Sequence, residues 1–225
     1  YAALDLAARV AISRGDERKI WLLGGAVAMG CGIWSMHFLA MLAFSLPVSI
    51  SYNFLLTIVS LLAAILASGL ALSIVSRPKV SFSTLLKSAI AMGVGIGLMH
   101  YIGMAAMEMT ADTNYNPMLF LLSVVVAVVV SLVALKLSLQ FRHQRANKVP
   151  QILSAIVMGA GVVTLHYTGM AAASFNANPE KYVEATGFDN GSMAFLIASF
   201  TFLILGTTIV IAADKAGNKD FLRKS

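Results

Sequence analysis

Apolar residues in this chain neither alternate with polar ones nor keep to one helical stripe. They run for about 20 residues at a time, the length a helix needs to cross about 30 Å of hydrocarbon, between short polar or basic stretches. Six such runs span residues 20–44, 53–76, 82–107, 118–141, 150–175 and 192–213. A backbone in lipid must satisfy its own hydrogen bonds, so each run predicts a helix. The period-two pattern of a membrane barrel is absent. Residues 1–13, YAALDLAARVAIS, read as the end of a further helix that begins upstream, with Asp5 and Arg9 spaced four apart as an ion pair. No cleavable signal peptide is visible. The expected fold class is all-α: a polytopic helical membrane bundle of six full spans plus the end of a seventh, N-terminal one.

Composition agrees. The chain is 59% hydrophobic and only 12% charged, with a mean hydropathy of +0.84, against about 25% charged for a soluble domain. Of its 16 Lys and Arg, all but Lys181 fall before the first full run, between the second and third, around the connection of the fourth to the fifth, or after the sixth. The opposite connections carry Glu108, Asp112, Glu180, Glu184 and Asp189. This positive-inside bias places the C-terminus in the cytoplasm. It also explains the net charge of +6 without nucleic acid. The single cysteine, Cys31, excludes an internal disulfide.

Three of the runs are copies of one another. They read AVAMGCGIWSMHFLAMLAF (26–44), AIAMGVGIGLMHYIGMAAM (89–107) and AIVMGAGVVTLHYTGMAAA (155–173). Each is followed by a more uniformly apolar helix, giving repeats of about 20–76, 82–141 and 150–213. Prolines 47, 117 and 179 fall in the outer connections, 78 and 150 in the inner ones. Two helices per unit make successive units parallel, related by a pseudo-threefold axis along the membrane normal. The glycines before each histidine (Gly30 and Gly32; Gly93, Gly95 and Gly97; Gly159 and Gly161) are expected to let the three motif helices approach that axis closely. A nucleotide-binding glycine loop is excluded, since no strand precedes them.

The histidines of the copies, His37, His100 and His166, therefore lie at one depth, toward the outer leaflet, and should converge. A histidine inside a membrane span is costly unless paired, coordinated or facing water, so three equivalent ones mark a site. Each is followed four residues later by a methionine: Met41, Met104 and Met170. Four residues advance a helix by about 400°, so imidazole and thioether share a face one turn apart. Thioether selects copper, above all Cu(I), and imidazole suits it. No carboxylate repeats with the motif, which argues against magnesium, calcium and manganese and weakens zinc. Met36 and Met99 precede their histidines by one residue, where the third copy has Leu165; packing explains them better. Met29, Met92 and Met158, eight residues before the histidines, read as core filling.

Met36-His37-Phe38, Met99-His100-Tyr101 and Leu165-His166-Tyr167-Thr168 resemble the repeated element of the bacterial MHYT family of integral membrane sensor domains. The resemblance covers nearly the whole chain. It implies seven membrane helices and one or two copper ions near the outer face, held by His37, His100 and His166 with Met36, Met99, Met41, Met104 and Met170. It further implies sensing of oxygen, carbon monoxide or nitric oxide, and a cytoplasmic output domain such as a diguanylate cyclase, phosphodiesterase, histidine kinase or DNA-binding module. Copies one and two carry Leu39 and Ile102 where copy three has Thr168, so the threonine hydroxyl is not a required ligand.

The expected function is a non-enzymatic sensor: residues 1–214 the membrane domain, 215–225 a basic juxtamembrane linker to an output domain, in the bacterial inner membrane. A homodimer is compatible with this arrangement, and nucleic acid is not a partner of this domain. A copper transporter or channel, a haem protein using two of the histidines, and a membrane oxidoreductase are the competing readings. Ligands at a single depth speak against the first, small-residue packing against the second, and the lack of an acidic proton path against the third.

Overall fold

The computed structural model describes residues 2–141, 148–181, 187–204, 206 and 207. Seven helices follow one another in it: α1 (Ala2–Ile12), α2 (Gly15–Ala43), α3 (Phe54–Val75), α4 (Phe82–Ala105), α5 (Pro117–Phe141), α6 (Lys148–Ala172) and α7 (Asn190–Ile204). Helices α2 to α6 are each long and apolar enough to cross a membrane. The sixth expected run continues beyond Ile204 largely outside the described residues, as does the 215–225 linker. The helix expected at the N-terminus is present as α1; the side chain of Asp5 lies outside the described ones, and the Arg9 guanidinium sits 4.6 Å from the Trp21 ring centroid.

The repeat is visible in how the second helices begin. Asn53 Oδ1 accepts from the Leu56 amide at the start of α3, Asn116 Oδ1 from Met118 and Leu119 at the start of α5, and Asp189 Oδ1 from Ser192 at the start of α7. The first turn of a helix leaves amide hydrogens without partners, and a side-chain oxygen at the cap satisfies them. Asp189 is fully exposed, and these hydrogen bonds hold its carboxyl below the ordinary value. The same device stands at the same point of all three units.

At this end the chain also forms a small polar layer. Strand β1 (Ser51–Tyr52) pairs antiparallel with β2 (Met107–Glu108), and β3 (Ala111–Tyr115) with β4 (Ala173–Ala177). Tyr52 and Phe188 exchange backbone hydrogen bonds at 2.8 Å in both directions. Glu108 accepts from Asn53 Nδ2 at 2.9 Å, while Lys181 donates to the Ala111 carbonyl and lies 3.6 Å from Asp112. The runs expected at 82–107 and 150–175 are accordingly cut short: Met107 and Phe175 are strand residues. Their side chains are apolar because they roof the core, which an unbroken apolar run does not distinguish from more helix.

The glycines require a correction. A Cβ on Gly30 would fall 2.6 Å from the Cα of Ile65 in α3, and one on Gly93 would fall 2.7 Å from the Cα of Val128 in α5. Gly161 likewise meets Val130 of α5, and Gly95 meets Ala67 of α3. These glycines bring each motif helix against its neighbouring partner helices in the ring, not against the other motif helices. Gly32, Gly97 and Gly159 have nothing within 4 Å of an added Cβ. Helix α6 also departs from expectation: Ile152, Leu153, Ile156 and Val157 are exposed, and burial is concentrated near its far end at Leu165, His166 and Ala172. It walls a lateral cleft of about 950 Å³ shared with α2 and α7.

Overpacking a close helix contact costs about 1–3 kcal/mol or more when backbone must move. Gly93→Val is expected to lower the detergent-solubilised thermal midpoint by several degrees, whereas Gly32→Ala leaves it unchanged; thermal unfolding followed by size-exclusion chromatography measures both.

Candidate metal centre

His37, His100 and His166 sit in the last two turns of α2, α4 and α6, just beneath the strand layer, and are 1%, 1% and 3% exposed. Their rings touch: centroids are 4.9 Å apart for His37 and His100, 5.2 Å for His37 and His166, and 5.3 Å for His100 and His166. Each imidazole also stands edge-on to the aromatic ring that follows it, at 4.8 Å for Phe38, 4.9 Å for Tyr101 and 5.3 Å for Tyr167. One local geometry is thus repeated around the axis.

What holds the rings there is a glycine after the histidine, not the ones before it. A Cβ built on Gly103 would lie 2.9 Å from Cδ2 of His37 and fall closer still to its Nε2; one on Gly169 would do the same to His100, at 2.7 Å from Cδ2. His37 and His100 therefore each lie against bare backbone of the next motif helix. The signal was present as His-x-x-Gly-Met in copies two and three (100–104 and 166–170), with Ala40 in the first.

The nitrogens are arranged in conflict. Nδ1 of His37 lies 3.1 Å from Nδ1 of His166 and 3.2 Å from Nδ1 of His100. A neutral imidazole nitrogen carries either one proton or one lone pair, so His37 Nδ1 can make one good hydrogen bond here, not two. Nε2 of His37 and Nε2 of His100 are buried with no hydrogen-bond partner. Each buried unsatisfied group costs about 1–3 kcal/mol, a large fraction of a fold's net stability of about 5–15 kcal/mol. A cation resolves the conflict, because lone pairs that repel one another all point at it. One ligand nitrogen from each histidine can be chosen so that all lie within 4.8 Å of one another. Two nitrogens bound to one ion at about 2.0 Å with a near-tetrahedral angle stand about 3.3 Å apart, close to the two short separations observed. The three histidines could hold a metal ion.

The donor set is neutral. Among the described residues the nearest recurring acids are absent from this cluster, and Glu108 is engaged by Asn53 and Ser51. Among the described residues no carboxylate receives an Nε2–H from His37 or His100, a contact that would raise the basicity of the ligating nitrogen. Of the sequence-identified methionines, Met41 and Met104 are 1% exposed, one turn beyond their histidines on the same face, and Met170 is half-buried against the same core. Met99 is 1% exposed within the core, and Met36 lies in the wall of the lateral cleft.

A family model described as the MHYT bacterial signalling protein N-terminal repeat matches residues 30–88 and 93–149. The chain belongs to the MHYT family. The third copy, around His166, lies beyond the two matched segments but joins their histidines in space. The chain is 42% identical over 213 residues to the bifunctional diguanylate cyclase/cyclic di-GMP phosphodiesterase MucR of Pseudomonas aeruginosa, covering 94% of this chain and 31% of that protein. It is 37% identical over 194 residues to the signaling protein YkoW of Bacillus subtilis (84% and 24%), and 38% identical over 174 residues to the cyclic di-GMP phosphodiesterase NbdA of P. aeruginosa (76% and 22%). This MHYT domain thus spans less than a third of the relatives' length. No solved structure matches it.

Beside the cluster, the Tyr52 ring packs on Phe38 at 5.6 Å, and its hydroxyl is buried without a hydrogen-bond partner among the described residues. Burial pushes its phenol up to about 12. A folded-state value above the unfolded value of about 10 means the folded form holds the proton more tightly. That contribution is complete below pH about 10 and is lost as pH rises toward 12. Tyr52→Phe is expected to flatten this alkaline loss while leaving neutral-pH stability unchanged or slightly higher, as paired denaturation curves across pH 8–12 would record.

Proposed function

We propose that this chain is a membrane-embedded sensor domain that binds copper through His37, His100 and His166, with Met41, Met104 and Met170 as further donors. It senses a diatomic gas (oxygen, carbon monoxide or nitric oxide) or copper itself, and relays the state of the bundle to an output domain. The observation that carries this reading is the meeting of three buried imidazoles, two of them with an unsatisfied nitrogen, and no carboxylate among them. A carboxylate-free nitrogen and sulfur set favours a soft ion of low charge, and a dry site penalises excess charge. Bound copper would supply a Lewis-acidic centre that a small neutral molecule can reach from the membrane. The protein's part is to hold three imidazoles in contact, keep water out and couple their spacing to α2, α4 and α6.

Relatives that carry matching segments are named as makers or breakers of cyclic di-GMP, which supports an output domain beyond this chain. The excess of basic residues at the end opposite the strands supports a cytoplasmic location for that end in a bacterial inner membrane. The enzymatic activities would then belong to the output domain, not to residues 1–214, and 215–225 would be the linker. A ligand shifts such a bundle only by binding two helix arrangements with different affinity. Haem is the weaker reading, because three rings at 4.9–5.3 Å leave no slot for a macrocycle between them.

Purified protein is expected to carry copper in preference to zinc or iron by elemental analysis. His37→Ala, His100→Ala or His166→Ala lowers occupancy sharply, and Met41→Leu, Met104→Leu or Met170→Leu less. Gly169→Ala, which pushes on His100 without removing it, weakens binding roughly tenfold. Stoichiometric iron with a Soret band would overturn copper. For gas sensing, reduced copper-loaded protein under carbon monoxide shows an infrared carbonyl band that His100→Ala lacks; a parent without the band retains only copper sensing.

A further inference from the structure

The repeat places a second set of donors on the same axis. Met29, Met92 and Met158 each precede a motif histidine by eight residues, about 12 Å along a helix. All three line one small cavity of about 20 Å³, together with Ala134, Leu135 and Ser138. That is room for a single water-sized group. Its walls are apolar apart from the Ser138 hydroxyl, whose oxygen lies 4.0 Å from the Met158 sulfur. Three methionines from three threefold-related positions therefore line a void of single-ion size, at a depth different from the histidines.

The same three methionines also line the lateral cleft of about 950 Å³, so the cavity lies directly beside it. Two further sulfurs stand in the cleft wall: Cys31, and Met36, which lies two turns beyond Met29 on the same face of α2. Packing alone asks only for volume and has no preference for sulfur at all three equivalent positions. Thioether is a neutral, soft donor that selects Cu(I) over harder ions. A dry site with no anionic ligand accepts one positive charge at far lower cost than two.

We propose that Met29, Met92 and Met158 form a thioether-only site for a soft monovalent cation, Cu(I) or its surrogate Ag(I), separate from the histidine cluster. It stands without the sensor assignment, since neither its donors nor its cavity involve a histidine. The two levels give the chain two stations for the same ion.

The test is titration of the detergent-solubilised chain with Ag(I) by calorimetry and with Cu(I) by X-ray absorption, for the parent, for Met29→Leu/Met92→Leu/Met158→Leu and for His100→Ala. Leucine conserves volume, so the triple variant should fold; Met92→Leu alone serves if it does not. The expected result is loss of one Ag(I) per chain and of an all-sulfur Cu(I) shell in the triple variant, or an at least tenfold weaker Ag(I) step in Met92→Leu. His100→Ala keeps that sulfur-only component. A leucine variant that binds Ag(I) and Cu(I) as the parent does would overturn the proposal and leave the three methionines as packing. Failure of the histidine site would appear separately, as a parent spectrum lacking imidazole while the sulfur shell remains.

Discussion

The structure turns on one unsatisfied contact: three imidazoles pressed together in a dry helical bundle, with His37 Nδ1 facing two other ring nitrogens at 3.1 and 3.2 Å. A neutral ring cannot satisfy both, and water is excluded at 1–3% exposure. Such an arrangement persists only if the surrounding structure enforces it, or if a cation makes it favourable. The enforcement is visible. Gly103 and Gly169 present bare backbone to the ring of the preceding unit, and the strand layer pins the ends of the three motif helices directly above.

Everything else is arranged so that the motif helices can hold that geometry. Gly30 and Gly93 seat them against α3 and α5 at backbone distance. Asn53, Asn116 and Asp189 fix where the partner helices begin, and therefore the height of the layer that roofs the histidines. A lateral cleft of about 950 Å³, walled in part by α2, α6 and α7, runs beside this core and reaches Met36, next to His37.

The helices and the histidine cluster were legible from the sequence because both rest on local or repeated signals: apolar runs of spanning length, and one motif written three times. Parallel repeats force equivalent residues to one depth, so the meeting of His37, His100 and His166 followed from topology. The strand layer was not legible, since Ser51 pairs with Glu108 and Ala111 with Ala177 across units, and pairing between distant short segments leaves no periodicity. The glycines before the histidines were legible as close-approach positions, but a sequence says that a helix approaches closely without saying which helix. Gly103 and Gly169 are not marked by the repeat, because Ala40 breaks their pattern in the first copy. Met29, Met92 and Met158 read as core filling because a single helix shows one methionine at a time, and only the assembled bundle shows one cavity lined by all three.

The central claim is that three imidazoles share one metal ion. X-ray absorption at the metal edge of protein purified with its native metal counts them directly, because imidazole rings give a distinctive outer-shell scattering pattern. The account predicts three imidazole nitrogens per ion at about 2.0 Å, falling to two in His100→Ala. A spectrum with no imidazole, or one unchanged by that substitution, would contradict it.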